Sequence, residues 1–201
     1  GDVFNEMGRY TLLPKELMDL IYKISENIVD TGDIGWGIVK NYGQNENYRN
    51  ELVPLLDLLK ENKIGCRGLV SAILQNYNNL PKHVQDLIFT LKSNEDVAGS
   101  IAWGIIRNYN NLPENVRNLV PSVIDNIETS KYIGDLVWIG IEIIENYGRY
   151  PEEITCLIEK EKLQYGLNEL RRLLLESQDR DCIIKAREFE QYIKIVPPNY
   201  R

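Results

Sequence analysis

Apolar residues recur along this chain at helical spacing, in two registers that alternate. In the first, a proline or its positional equivalent precedes apolar residues three, six and seven places on. Leu80-Pro81 leads Val84, Leu87 and Ile88; Leu112-Pro113 leads Val116, Leu119 and Val120; Tyr150-Pro151 leads Ile154, Leu157 and Ile158. Leu13-Pro14 leads Leu17, Leu20 and Ile21, and Tyr48-Arg49 leads Leu52, Leu55 and Leu56. This spacing is the buried stripe of a helix. Proline suits the first helical position because it has no amide hydrogen to satisfy and a preset φ. The register predicts helices over residues 14–28, 49–61, 81–92, 113–128 and 151–161. In the second register Ala98, Ile101, Ala102, Ile105 and Ile106 share one side of a helical wheel, as do Cys66, Leu69, Val70, Ile73 and Leu74. It predicts helices over 33–42, 66–77, 96–109 and 133–147, joined by short turns that make neighbouring helices antiparallel.

Each helix of the second register ends on an Asn-Tyr pair: Asn41-Tyr42, Asn76-Tyr77, Asn108-Tyr109 and Asn146-Tyr147. The tyrosines recur at intervals of 35, 32 and 38 residues, a period that marks stacked repeats. The chain divides into units at about 10–42, 48–77, 80–109, 112–147 and 150–178, the last with a helix over 163–178 and no Asn-Tyr, then a capping helix over 180–196. Glu169, Arg171, Arg172, Glu176, Arg180, Lys185, Arg187, Glu188 and Glu190 give this end the polarity a terminal repeat needs. No segment alternates apolar and polar residues over a strand length. The expected fold class is therefore all-α: an α-solenoid, wound as a right-handed superhelix, of antiparallel two-helix repeats, in a single domain over 1–201.

The run Asn108-Tyr109-Asn110-Asn111-Leu112-Pro113-Glu114-Asn115-Val116-Arg117-Asn118-Leu119-Val120 carries a family resemblance. It is similar to the HEAT-like, armadillo-like helical repeats found in archaeal and bacterial arrays, where they are often appended to NACHT-type signalling ATPases. The resemblance spans about residues 10–161. It implies that the second-register helices line a concave surface, and that the chain is the recognition arm of a larger signalling protein. Gly1 in place of a starting methionine fits an excised piece of such a protein.

Charge narrows the partners. The net charge is −7, and an acidic balance argues against a nucleic-acid backbone as the main partner, since that binding needs Lys and Arg to neutralise phosphates. Cys66, Cys156 and Cys182 have no paired spacing and read as reduced thiols of a cytoplasmic protein. No apolar run reaches the roughly 18 residues of a membrane span, and the polar start from Gly1 to Tyr10 does not read as a signal peptide, so no membrane is expected.

Candidate chemistry is sparse. His83 is the single histidine, on a helix's first turn, and reads as a solvated surface residue. A phosphate-cradling GxxxxGK[ST] or GxGxxG loop is absent, and neither a metal site nor a cofactor is expected. Asp33, Asp96 and Asp135 open successive helices and read as N-caps. The repeated asparagines sit at helix ends, where orphan carbonyls need donors and where asparagine tolerates a left-handed conformation, with each tyrosine on the buried stripe beside them. Asn41, Tyr42, Asn76, Tyr77, Asn108, Tyr109, Asn146 and Tyr147 thus form a structural ladder. Gly37, Ala72 and Gly104 share a repeat position and read as a close helix-packing site.

The positions two, six and nine before each tyrosine point away from this core. They hold Lys40, Trp36, Asp33; Gln75, Ser71, Gly68; Arg107, Trp103, Ser100; and Glu145, Ile141, Trp138. All three tryptophans lie here. Trp and Arg are enriched at binding hot spots. The candidate binding residues are therefore Trp36, Lys40, Gln75, Trp103, Arg107, Trp138, Ile141 and Glu145. The function expected is a non-catalytic scaffold that binds a protein or peptide on its concave face. In the competing structural reading the tryptophans only close gaps between repeats. The competing functional reading is a nucleic-acid-binding HEAT-like protein of the DNA-glycosylase type, for which Lys40 and Arg107 supply few cations. A lyase role has no supporting residues, and a plain spacer would look the same in sequence.

Overall fold

The structure, a computed structural model, describes residues 63–129 and 131–194, together with Asp19, Lys23, Gly35, Val39, Leu56, Asp57 and Lys60. Most of the helices expected over 14–28, 33–42 and 49–61, and with them Asp33, Trp36, Gly37, Lys40, Asn41 and Tyr42, lie outside the described residues.

Among the described residues every regular element is helical. In chain order they are α1 (Lys63–Asn76), α2 (Lys82–Gln85), α3 (Leu87–Leu91), α4 (Glu95–Arg107), α5 (Glu114–Arg117), α6 (Val120–Asp125), α7 (Ile133–Glu145), α8 (Glu152–Thr155), α9 (Glu161–Glu176) and α10 (Arg180–Phe189). Short 3₁₀ turns occupy Tyr77–Asn79, Tyr109–Asn111, Cys156–Glu159 and Glu190–Tyr192. The long helices pack side by side in chain order: α1 on α4, α4 on α7, α7 on α9 and α9 on α10. The short helices include α6, which packs on α4, and α8, which packs on α7.

The second-register stripes form the core. Cys66, Leu69, Val70 and Ile73 of α1 and Ala98, Ile101, Ala102, Ile105 and Ile106 of α4 are fully buried. Burying each large aliphatic side chain is worth about 1.5–3 kcal/mol. Small residues let the long helices approach. A Cβ added at Gly104 would lie 2.6 Å from Leu74 Cδ1, and one at Gly140 would lie 2.7 Å from Leu167 Cδ2. At Gly166 it would meet Leu136 Cβ at 3.0 Å and the backbone behind it at 3.2 Å.

The first-register helices depart from expectation. The segments over 81–92, 113–128 and 151–161 are each broken in the middle instead of continuous. In the second of these the cause is Pro121, which falls in the first turn of α6. It has no amide hydrogen and its ring crowds the carbonyl four residues back, so the helix restarts after Asn118 and Leu119. In the third, α8 gives way to a 3₁₀ turn, and the Thr155 hydroxyl donates back to the Glu152 carbonyl at 3.1 Å. The capping helix also stops early, at Phe189. Buried Gln164 of α9 explains this: it donates to the Tyr192 carbonyl at 2.9 Å and accepts from the Lys194 amide, which draws the chain out of the helix.

Three of the four Asn-Tyr pairs lie within the described residues. Asn76, Asn108 and Asn146 donate from Nδ2 to the carbonyls of Ala72, Gly104 and Glu142, at 2.9, 2.9 and 3.1 Å. Orphan carbonyls are thereby satisfied. None of the three uses the left-handed conformation that asparagine tolerates: φ is −111°, −105° and −115°. The side chain does what a left-handed residue would otherwise do with its backbone. Tyr77 and Tyr109 are buried, whereas Tyr147 is 43% exposed. Its turn continues as Gly148-Arg149-Tyr150, and Tyr150, at the position of Leu80 and Leu112, is half-buried and edge-on to Tyr109 with ring centres 6.5 Å apart.

Candidate functional site

Three neighbouring long helices bring one face together. Ser71 of α1, Gly99, Ser100 and Trp103 of α4, and Asp135 and Trp138 of α7 line a groove of about 360 Å³. Ser71, Ser100, Trp103 and Trp138 all occupy outward repeat positions. Trp103 is half-buried against the core, while Trp138 is 63% exposed. The groove exists because α4 is small at its start. A Cβ at Gly99 would fall 2.3 Å from Asp135 Oδ2, so the glycine is what lets the carboxylate lie against the helix.

Asp135 is not the N-cap the sequence suggested. It sits inside the first turn of α7, and its carboxylate accepts from Arg67 Nη2 at 3.2 Å and Nη1 at 3.4 Å. Arg67 also donates from Nε to the Asp96 carbonyl at 2.9 Å, and its guanidinium lies 5.0 Å from the centre of the Tyr132 ring. One arginine of α1 therefore ties the starts of both α4 and α7. Burial pushes the Asp135 carboxyl above the usual carboxylate range, with the nearby Arg67 charge opposing it.

Asp96 is likewise no cap. Asn94, extended at φ −82° and ψ 112°, caps α4 by accepting from the Asp96 amide at 3.0 Å. The Asp96 side chain is buried and accepts from Lys131 Nζ at 3.0 Å and from the Tyr132 hydroxyl. Both aspartates remain in first turns, where the helix dipole favours them. Their side chains, however, join one helix to the next.

The other candidates among the described residues do not line the groove. Arg107 is exposed and its guanidinium lies 4.8 Å from the Trp103 ring centre. Gln75 is exposed at the end of α1, and Ile141 packs against the core. Glu145 is held by Lys185 of α10 at 3.0 Å, which makes it a link to the C-terminal helix. His83 is exposed.

A second cleft, of about 370 Å³, opens on the short-helix side near Tyr109, Arg117, Glu114 and Glu153. There the Arg117 guanidinium lies over Tyr109 at 4.9 Å, and its Nε is buried without a hydrogen-bond partner.

The role of Asp135 was missed because its partner is 68 residues away. The adjacency of Arg67 to the outward position Gly68 was the one available signal. Among the described residues, no three His, Cys, Asp or Glu side chains group as metal ligands, and no helix is long and apolar enough to cross a membrane. Comparison of the chain with protein-family models, with curated proteins and with solved structures yields no match.

Proposed function

We propose that this chain is a non-catalytic binding module, a HEAT-like solenoid that receives a protein or peptide segment in the groove floored by its long helices. The side-by-side order of α1, α4, α7, α9 and α10 supports the solenoid reading. The observation that carries the function is the convergence of Trp103 and Trp138, from adjacent helices, on one groove. Trp138 bears on the choice between binding and packing. A tryptophan that merely closed a gap would be covered, and this one is 63% exposed. Exposed aromatics in a groove are typical anchor points. The presence of Asp135 in the lining weighs against a phosphate backbone as the occupant. The resemblance to arrays of NACHT-type ATPases supports reading the module as the recognition arm of a longer protein.

Trp138→Ala tests this directly. It should abolish partner capture, measured by affinity pull-down against the wild-type chain, while circular dichroism and melting temperature stay unchanged. Loss of folding would instead make Trp138 a packing residue, and undiminished capture would move the binding surface elsewhere.

A further inference from the structure

We propose that the groove between α4 and α7 seats a cationic side chain, a lysine or arginine of a protein partner, between Trp103 and Trp138 and against Asp135. The inference rests on the peptide-binding reading above and names what the peptide must bring.

The lining defines the chemistry. Among the described residues its one charged side chain is Asp135, and Arg67 and Arg107 are not part of its wall. Two indole rings offer electron-rich faces that attract an ammonium or guanidinium group. Trp103 already shows this property, because the Arg107 guanidinium lies over its ring. The hydroxyls of Ser71 and Ser100 add two acceptors, and neither has a hydrogen-bond partner among the described residues. Asp135 retains accepting capacity: a carboxylate has about four lone-pair positions, and Arg67 fills two of them through long contacts of 3.2 and 3.4 Å.

Shape and field agree with this assignment. A pocket of about 360 Å³ with apolar walls and one carboxylate suits a long side chain with an apolar stem and a charged head. The net charge of −7 raises the local concentration of a basic partner. An acidic peptide would instead bring its carboxylates against Asp135.

The test uses the full chain with short oligo-arginine, oligo-lysine, oligo-glutamine and oligo-glutamate peptides, followed by isothermal titration calorimetry. Both basic peptides should bind, and the other two should not. Trp138→Ala leaves the net charge unchanged, so it separates the groove from general acidity. It should weaken oligo-arginine binding about fivefold or more. Asp135→Asn should weaken it similarly, with melting curves verifying that each variant is folded. Equal binding of oligo-arginine by wild type and Trp138→Ala would overturn the proposal, as would no binding by either basic peptide. Binding of oligo-glutamine or oligo-glutamate that depends on Trp138 would overturn the cationic assignment and leave the groove reading intact. A partner captured equally well by Trp138→Ala would overturn the groove reading itself.

Discussion

The Asn-Tyr turns at 76–77 and 108–109 behave alike, and the one at 146–147 does not. In all three the asparagine makes the same bond to the carbonyl four residues back. In the first two the tyrosine is buried, the next layer begins with a buried leucine, and Asn78 of one turn donates to the Asn111 carbonyl of the next at 2.8 Å. In the third, Gly148 and Arg149 replace the two asparagines, Tyr150 replaces the leucine, and Tyr147 leans on Tyr192 with ring centres 5.2 Å apart. Asparagine's part is local and survives any change in the following turn. Tyrosine's burial depends on what the following layer supplies.

The largest expected effect separates the two tyrosines. Tyr109→Ala removes a buried ring held by Tyr150 and Arg117, and should cost about 3–5 kcal/mol in denaturant unfolding. A cost near that of an exposed residue would break the distinction. Gly166→Ala comes next. Its new Cβ meets backbone that cannot easily yield, so a loss of about 1–3 kcal/mol is expected, read as a lowered midpoint with unchanged slope.

Asn108→Ala and Asn146→Ala sharpen the local half of the comparison. Each removes that bond and should cost about 1 kcal/mol, with Asn146→Ala the larger because its Nδ2 also donates to Glu142 Oε1 at 3.0 Å. A smaller cost for Asn146→Ala than for Asn108→Ala would show that the turn sequence, not the bonds, sets the contribution. Tyr147→Ala should stay within about 0.5 kcal/mol of wild type, because the ring is already in water on one side.

Asp135 gives the smallest, pH-dependent effect. Its folded-state carboxyl lies above the ordinary value of 3.8, so its share of stability is fully present below that pH and is lost as pH rises through the folded value. The melting temperature of wild type relative to Asp135→Asn should therefore fall as pH rises from below 3.8. A difference that grows with pH would mean that Arg67 outweighs burial.

Much of the helical layout was legible. The long helices begin and end within a few residues of the periodic stripes, because apolar spacing and helix ends are local properties of the chain. The break before Pro121 falls inside a helix expected to be continuous over 113–128, although a proline there interrupts the hydrogen bonds. The break at Asp86 had no such sign. The outward face was legible as a set of positions, among them Trp103 and Trp138, but not as a groove.

The groove depends on lateral neighbours. Gly99 has no Cβ, so α7 can lay Asp135 against α4, and Arg67 reaches across from α1 to hold it. Helical wheels order residues around one axis and say nothing of which residues on separate axes touch. The repeat register and its buried stripes thus belong to the sequence alone. The conversion of two apparent helix caps, Asp96 and Asp135, into links between helices came from stacking, because their partners lie 35 to 68 residues away along the chain.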